Sequence, residues 1–239
     1  MGGGILPRPR AVVLAFSVVA RKRAAFITIG QSPRPDILDE MRPWWDGSSL
    51  DIEEHGVLDG LTLKEIERLA PGDEDVPLVS RLHDGTEVLL AADSVHHRVE
   101  EIVRKLDGDG IDVVVLLCTG QFHGLTSKGI LVGAGAVVDH GLAAIAESAP
   151  SIGVLLPNEG QKASFRCEPA GNRRFLLSHA SPYSGDRWET AARELEEADL
   201  VVMHCMGYTE PMRRKLAQKT GKPVLLARRM VAAAVAQIL

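Results

Sequence analysis

Short apolar runs alternate with helix-length segments along the chain from Ala24 onward. Several runs are apolar at almost every position, as in IDVVVLL at residues 111–117. This pattern is typical of parallel strands that are buried on both faces of a sheet. The predicted strands are residues 24–29, 51–58, 111–117, 152–156, 175–177, 200–203 and 224–226.

The segments between these strands favour helices. In residues 93–106, for example, apolar side chains recur at spacings of three and four, and Asp93 is the expected N-cap. The predicted helices are residues 35–45, 61–70, 93–106, 134–148, 186–198, 209–219 and 229–239. Because parallel strands need crossovers of about a dozen residues or more, these gaps predict a doubly wound α/β fold.

One part of the chain departs from this parallel pattern. Residues 76–82 and 86–90 flank the sequence His83-Asp84-Gly85, and an Asp-Gly pair between two apolar runs is typical of a tight hairpin turn. We therefore predict one antiparallel hairpin.

Composition and charge narrow the class of protein. The 239 residues are 45% hydrophobic and 25% charged, which is typical of globular proteins and argues against disordered, collagen-like or multi-span membrane chains. The net charge is −5, and the only tight basic cluster is residues 21–23. Since nucleic-acid-binding proteins usually present a concentrated basic face, we expect no nucleic-acid partner.

The first 22 residues need separate treatment. Residues 11–20 are an apolar run between basic residues, too short to span a bilayer, and the run ends in charge rather than at a small-residue cleavage site. An export or anchoring segment stays an alternative. We predict that residues 1–22 are a disordered leader or an over-long start, that residues 23–239 form the α/β domain, and that the protein is cytoplasmic and binds no membrane.

Two of the three cysteines follow strongly apolar predicted strands, in VVVLLCTG and DLVVMHCMG, one in each half of the chain. Ligands of such sheets bind at the carboxyl ends of strands, so Cys118 and Cys205 are placed where a pocket would form. Glycines after each thiol let backbone amides approach an anion, and the following helix N-terminus would lower the thiol pKa. The predicted ligand-binding residues around the two thiols are Thr119, Gly120, Met206, Gly207 and Tyr208.

Two thiols that face each other across a carboxylate suit proton transfer at the carbon next to it. One thiolate removes a proton from one face and the opposing thiol delivers a proton to the other, without metal or cofactor. The alternative is that these cysteines are small buried hydrophobic residues, as free cysteines often are. Cys167 lacks a strand-end position, so we interpret it as structural. The absence of Cys-x-x-Cys pairs argues against a disulfide framework or a zinc ribbon.

A polar turn follows the first predicted strand. In GQSPRPD, Gln31 and Ser32 can donate to a ligand oxygen, and Arg34 can bind a carboxylate through two hydrogen bonds. The alternative is a tight strand-to-helix turn with Arg34 in solvent. Residues 157–159 and 178–183 also follow strands and are further candidates for a pocket wall.

The histidines give no metal site. His204 precedes Cys205 and is expected to pack on the opposite side of its strand, whereas His123 is the better candidate for tuning a thiol. No HExxH or aligned His and Cys set occurs, and residues 133–135 lack the third glycine of a dinucleotide fingerprint. We expect neither a metal nor an organic cofactor.

Three segments together resemble a known family. AFITIGQSPRPDILDEM near the start of the domain, CTG after an apolar strand and HCMGYT near the carboxyl end resemble the AroM family, which is itself similar to the aspartate/glutamate racemase superfamily. The resemblance implies two pseudo-symmetric doubly wound parallel-sheet lobes with the site between them and a two-cysteine mechanism without cofactors. It implies an isomerase of the racemase or epimerase class that acts on a small carboxylate. A homodimer is a further expectation.

The motifs depart from those of racemases for acidic amino acids. Those enzymes usually carry Cys-Asn-Thr or Cys-Asn-Ser in the first lobe and Cys-Thr-His in the second, where this chain has Cys118-Thr119-Gly120 and Cys205-Met206-Gly207. The missing contacts leave a second hypothesis open, a non-catalytic protein that binds a carboxylate metabolite on the same fold.

Overall fold

The computed structural model describes residues 22–45 and 50–238. Within these ranges the strands are β1 (Lys22–Thr28), β2 (Leu50–Gly56), β3 (Pro77–Arg81), β4 (Glu87–Ala91), β5 (Val113–Leu116), β6 (Ile130–Gly133), β7 (Ser151–Leu156), β8 (Arg174–His179), β9 (Leu200–Met203) and β10 (Val224–Leu226). The α-helices are α1 (Pro35–Met41), α2 (Leu63–Glu67), α3 (Ala92–Asp109), α4 (Ala134–Ile145), α5 (Trp188–Glu194), α6 (Glu210–Thr220) and α7 (Ala227–Ala236).

The described strands form two four-stranded sheets and one hairpin. The first sheet has the order β2-β1-β5-β6 and the second has the order β10-β9-β7-β8, and every pairing within them is parallel. Counted in chain order within its own sheet, each lobe has its strands in the order 2-1-3-4. The predicted fold of two pseudo-symmetric doubly wound parallel-sheet lobes is confirmed. We call β1 to α4 the first lobe and β7 to α7 the second lobe.

The central strands are buried on both faces, as their continuous apolar sequences predict. Every residue of β5, β7 and β9 is buried. One core cluster contains side chains from both sheets, including Phe26 and Val115 of the first lobe and Val154 and Val202 of the second. The two lobes therefore share a hydrophobic core, which fixes the strand ends of one lobe relative to those of the other.

The predicted antiparallel hairpin is confirmed as β3 and β4, paired from Pro77 and Ala91 to Arg81 and Glu87. It lies against the carboxyl end of β1. A Cβ atom at Gly30 would stand 2.5 Å from Ser80 Oγ and 2.8 Å from the carbonyl oxygen of Arg81. Glycine at this position is what lets the hairpin approach the first sheet so closely.

Two details differ from the sequence prediction. The N-cap of α3 is Ala91, without a side-chain hydrogen bond, so Asp93 lies inside the first turn of the helix and the predicted cap is wrong. β6 was not among the predicted strands, because this short edge strand has no long apolar run and leaves Ile130 50% exposed.

The predicted leader, residues 1–22, lies outside the described residues except for Lys22, which begins β1. Within the described part of the chain, no helix has both the length and the apolar character needed to cross a membrane.

Candidate active site

The candidate site lies where the first and third strands of each lobe stand side by side. In both lobes the chain leaves these neighbouring strands toward opposite edges of the sheet, and such a switch point opens a crevice at the carboxyl ends of the strands. Cys118 follows β5 and Cys205 follows β9, the third strand of each lobe. The pseudo-symmetry thus places the two cysteines at equivalent positions.

Both cysteines line one small cavity between the lobes. Its volume is about 30 Å³, which is space for only one or two water molecules. Its wall also includes the side chains of Thr28, Arg34, Ser80, Gln161 and Tyr183. A volume of this size is too small for an amino acid or a dicarboxylate.

The two thiols have matching backbone partners. The amide of Gly120 donates to Cys118 Sγ over 3.4 Å, and the amide of Gly207 donates to Cys205 Sγ over the same distance. At Gly207 a Cβ atom would stand 2.7 Å from the hydroxyl oxygen of Tyr183. Both thiols are free and buried.

Burial raises the pKa of both thiols, against the sequence prediction. The pKa of Cys118 rises to about 12, and the Gly120 amide only partly opposes the effect of burial. Burial also raises the pKa of Cys205, opposed by the Gly207 amide and by the charges of Arg228 and Arg34. The predicted lowering by a helix N-terminus fails because β6 is the next element after Cys118, and α6 starts only at Glu210.

Arg34 is buried, with only 4% of its surface exposed, and it lines the cavity rather than pointing into solvent. Its Nε and Nη2 atoms each donate to the carboxylate of Asp36 over 2.9 Å, and Nη2 also donates to the Tyr183 hydroxyl over 3.2 Å. Burial disfavours the guanidinium charge, but the hydrogen bonds and charge of Asp36 and Tyr183 outweigh it and raise the pKa of Arg34. Asp36 therefore occupies the Nε and Nη2 edge of the guanidinium, which could otherwise bind a ligand carboxylate through two hydrogen bonds. Nη1 makes a 3.4 Å contact with Thr28 Oγ1.

Gln31 and Ser32 lie outside the cavity wall, and their polar groups bind other parts of the first lobe. Gln31 Oε1 accepts from the amide of His83 at the hairpin turn over 2.8 Å. The amide of Ser32 donates to the carboxylate of Asp59 over 2.8 Å. These bonds fix the turn after β1, so neither residue is placed at the thiol cavity, where the prediction put it.

The residues that follow the two cysteines divide into two groups. Thr119, Gly120, Met206 and Gly207 line the cavity. Tyr208 does not, because its side chain is fully buried in the second lobe and its hydroxyl donates to the carbonyl oxygen of Ala180 over 2.8 Å. Tyr183, which belongs to the candidate segment 178–183, lines the cavity instead.

Two further predictions concern histidines. His204 is packed as predicted, and its Nε2 atom lies 3.0 Å from Asp139 Oδ1 of α4. His123 does not line the thiol cavity. It lies on a larger neighbouring cleft of about 710 Å³ that Cys118 also borders.

Arg228 is the main residue of the site that sequence analysis missed. It is 1% exposed, and its Nε and Nη2 atoms donate to the Met206 carbonyl oxygen over 3.1 and 2.7 Å. Its Nη1 atom donates to the Asp36 carbonyl oxygen and pairs with Glu40 Oε2 at 2.9 Å. A charged residue inside the apolar sequence LLARRMVAAAV was the available signal.

Cys167 has a packing role, as predicted. It is buried in the core shared by the lobes, and its thiol lies 3.7 Å from the Asp139 carbonyl oxygen. Across residues 22–45 and 50–238, no three or more His, Cys, Asp or Glu side chains are grouped to hold a metal ion.

Comparison with solved structures shows the same fold in proteins of low sequence identity. The allantoin racemase of Klebsiella pneumoniae matches with a TM-score of 0.55 at 15% identity, covering 91% of this chain and 87% of its own. The maleate cis-trans isomerase of Nocardia farcinica, solved with TRIS bound, gives 0.58 at 14% identity over 90% and 91%. The aspartate racemase of Picrophilus torridus gives 0.56 at 13% identity over 91% and 94%.

No curated protein matches the chain in sequence. A family model described as "AroM protein" matches residues 24–239, which is nearly the whole chain and includes both cysteines. The chain is therefore a member of the AroM family.

Proposed function

We propose that this protein is a cofactor-independent isomerase of the racemase type that acts on a small carboxylate by proton transfer between Cys118 and Cys205. The observation that carries the proposal is the cavity itself. Two thiols from equivalent positions of the two lobes line it, and Arg34 is the one formally charged side chain among the described residues of its wall.

The charge of Arg34 supports a carboxylate as the ligand. A buried cation attracts an anion more strongly than an exposed one, because the surroundings screen it less. Asp36 occupies the Nε and Nη2 side of the guanidinium, so Nη1 is the group best placed to donate to a ligand. The hydroxyl groups of Ser80 and Tyr183, on the same wall, supply further polar partners for carboxylate oxygens.

The proposed reaction moves one proton on and one proton off the same carbon. The thiolate of one cysteine takes the proton, and the electron pair of the C–H bond delocalises into the substrate carboxylate. The opposing thiol then gives its proton to the other face of the carbon and becomes the thiolate. Arg34 stabilises the negative charge that develops on the carboxylate during this step.

The raised pKa values of the thiols are compatible with this role. A thiolate with a higher pKa is a stronger base for a weakly acidic C–H bond, although less of it is present at neutral pH. When the cavity widens and a substrate binds, the surroundings of both sulfur atoms change, and the pKa of each thiol changes with them.

The cavity has to widen before a substrate can sit between the sulfurs. Leu78, Val79 and Ser80 of the hairpin form part of its wall. The hairpin also touches the second lobe, where Gln161 Nε2 donates to the Pro77 carbonyl oxygen over 2.8 Å. We propose that movement of this hairpin admits the substrate.

The fold comparisons support the class of reaction. The three similar structures are named as two racemases and one cis-trans isomerase. Their sequence identities are low, so the similarity supports the fold alone. The proposed chemistry rests on the residues of the cavity.

A second candidate function is a non-catalytic protein that binds a carboxylate metabolite. The observation that favours it is the burial of both thiols, which raises their pKa and keeps most of each protonated near neutral pH. In that case Arg34 would bind the ligand and the cysteines would only pack against it.

Deuterium wash-in separates these functions. The protein is incubated in heavy water with amino acids, hydantoins and short dicarboxylic acids, and incorporation at carbon is followed by NMR. We expect incorporation into one class of carboxylate, abolished in the Cys118→Ser/Cys205→Ser double variant and retained in the matched control Cys167→Ser. Binding of a panel member without any incorporation would support the second function.

A further inference from the structure

The two thiols occupy equivalent positions, but the charges around them differ. Two buried arginines favour the Cys205 thiolate, Arg34 on the cavity wall and Arg228 behind the turn that follows the thiol. No charged side chain of the described residues acts on Cys118 in this way, and its ionisation is governed by burial, the Gly120 amide and Cys205.

Arg228 is fixed in place by its contacts. Two of its nitrogens hold the Met206 carbonyl oxygen, so the guanidinium lies directly behind the chain between Cys205 and Gly207. Its third nitrogen holds the Asp36 carbonyl oxygen and the Glu40 carboxylate of α1 in the first lobe. Because the group is buried, its charge acts on nearby groups with little screening by water.

The other charged or titratable groups that act on Cys205 have smaller effects. Glu87 of the hairpin disfavours the thiolate, but Arg228 and Arg34 act more strongly and favour it. Tyr183 and Tyr208 stay protonated, because burial raises the pKa of both phenols. Asp36 and Glu40 are themselves paired with arginines, Asp36 with Arg34 and Glu40 with Arg228.

We propose that Cys205 is the first of the two thiols to ionise, losing its proton to solvent, and that Arg228 is the positioning residue that makes it so. Cys118 then remains the thiol that delivers a proton. The roles of Cys205 as the base and Cys118 as the acid rest on the function proposed above, whereas the order of ionisation does not. The substrate form whose proton faces Cys205 would accordingly react with the resting protein directly.

The order of ionisation is measured by alkylation of the full-length protein with iodoacetamide between pH 6 and pH 11, with each cysteine followed by peptide mass spectrometry. A thiol whose rate is still rising at pH 11 has its midpoint above that pH. The quantity compared is the pH midpoint of each rate profile, because limited access scales a rate without moving its midpoint. We expect a midpoint for Cys205 that is at least about one pH unit below that of Cys118. An equal or higher midpoint for Cys205 would overturn the proposal.

The Glu40→Gln variant tests the role of Arg228 without removing it. Glutamine can still accept the hydrogen bond, but the arginine charge is no longer partly offset by a carboxylate, so the Cys205 midpoint should fall by about half a pH unit. The Cys118 midpoint should not move. Loss of the Glu40 carboxylate favours the Cys205 thiolate both directly and through Arg228, so an unchanged or raised Cys205 midpoint contradicts the proposal. Glu197→Gln, which alters a surface pair with Arg174, is the matched control.

Replacement of Arg228 itself should act in the opposite direction. Arg228→Met should raise the Cys205 midpoint, and Arg228→Lys should restore part of the difference. If Arg228→Met does not fold, Arg228→Lys still tests the residue, because a lysine that cannot hold the Met206 carbonyl oxygen through two nitrogens should leave the Cys205 midpoint above that of the unaltered protein. A protein that shows the expected midpoints but no deuterium wash-in would refute the proposed function and leave this inference standing. Deuterium wash-in together with equal midpoints would support the proposed function and refute this inference.

Discussion

Cys118 and Cys205 line the same cavity from opposite lobes, each accepting a hydrogen bond from the amide two residues further along the chain. The equivalence follows from the topology, since each thiol comes after the third strand of a sheet with the strand order 2-1-3-4. A chain with this repeated plan brings two chemically identical groups to the wall of one cavity. This arrangement suits a reaction that adds a proton on one face and removes it from the other.

Replacing Arg34 tests the carboxylate site. Arg34→Met keeps most of the side-chain volume but removes the cavity charge, so affinity for a small dicarboxylate such as malonate should fall about 10-fold to 100-fold. Isothermal titration calorimetry measures this directly. Arg42→Met is the matched control, because Arg42 is half exposed and pairs with Asp39 at the surface. Equal affinity in the two variants would show that Arg34 serves only to hold Asp36.

The two tyrosines should respond differently to loss of the hydroxyl group. Tyr208→Phe leaves the buried carbonyl of Ala180 without its donor, which should cost about 1 kcal/mol and lower Tm by about 2 to 4 °C, with carboxylate binding unchanged. Tyr183→Phe removes a partner of Arg34 on the cavity wall and should weaken binding instead. Thermal unfolding and titration of both variants check this pair. Weakened binding in Tyr208→Phe with normal stability would instead indicate that Tyr208 binds the ligand, as the sequence analysis predicted.

The pH dependence of stability has a specific contribution from Glu210. Hydrogen bonds from Arg213, and then from Arg214, outweigh burial and lower its pKa from 4.5 to about 2. Since the folded-state pKa lies below the unfolded one, the stabilisation is complete above about pH 4.5 and is lost as the pH falls toward 2. Glu210→Gln should therefore lower stability by about 1 kcal/mol at pH 7 and make little difference near pH 2.

Urea unfolding at pH 7, 4 and 3 measures this difference. Glu197→Gln provides the comparison, because its pair with Arg174 is mostly exposed and should contribute little at any pH. A constant difference between wild type and Glu210→Gln across the pH range would contradict the prediction.

Sequence patterns were sufficient for the long apolar strands, though not for the short edge strand β6, and for the positions of the two cysteines after such strands, because these features depend on local order. A run such as VVVLL has to be buried on both faces, and a residue that follows it has to lie at the carboxyl edge of the sheet. The glycines after Cys118 and Cys205 were recognisable for the same reason.

The remaining parts of the site depend on contacts between distant segments. Arg34 was expected to bind a ligand with two nitrogens, but the carboxylate of Asp36 occupies them. Arg228 comes from a helix start whose distance from Cys205 no local pattern encodes. Tyr183 lies in the segment 178–183 that follows a strand, but its bond to Arg34 is likewise a contact between distant parts of the chain. The raised thiol pKa values likewise reflect burial by both lobes, which a strand-and-turn pattern does not measure.

The central claim is that each thiol serves one face of the substrate, and single serine variants test it most directly. Deuterium exchange is followed separately for the two stereochemical forms of the carboxylate found by wash-in. With Cys205 alone, in Cys118→Ser, one form should still exchange its proton without inversion, because serine is a far poorer base near neutral pH. Cys205→Ser should show the mirror preference and exchange the other form. If both variants lose exchange identically, or if neither loses any, the two-base account is contradicted.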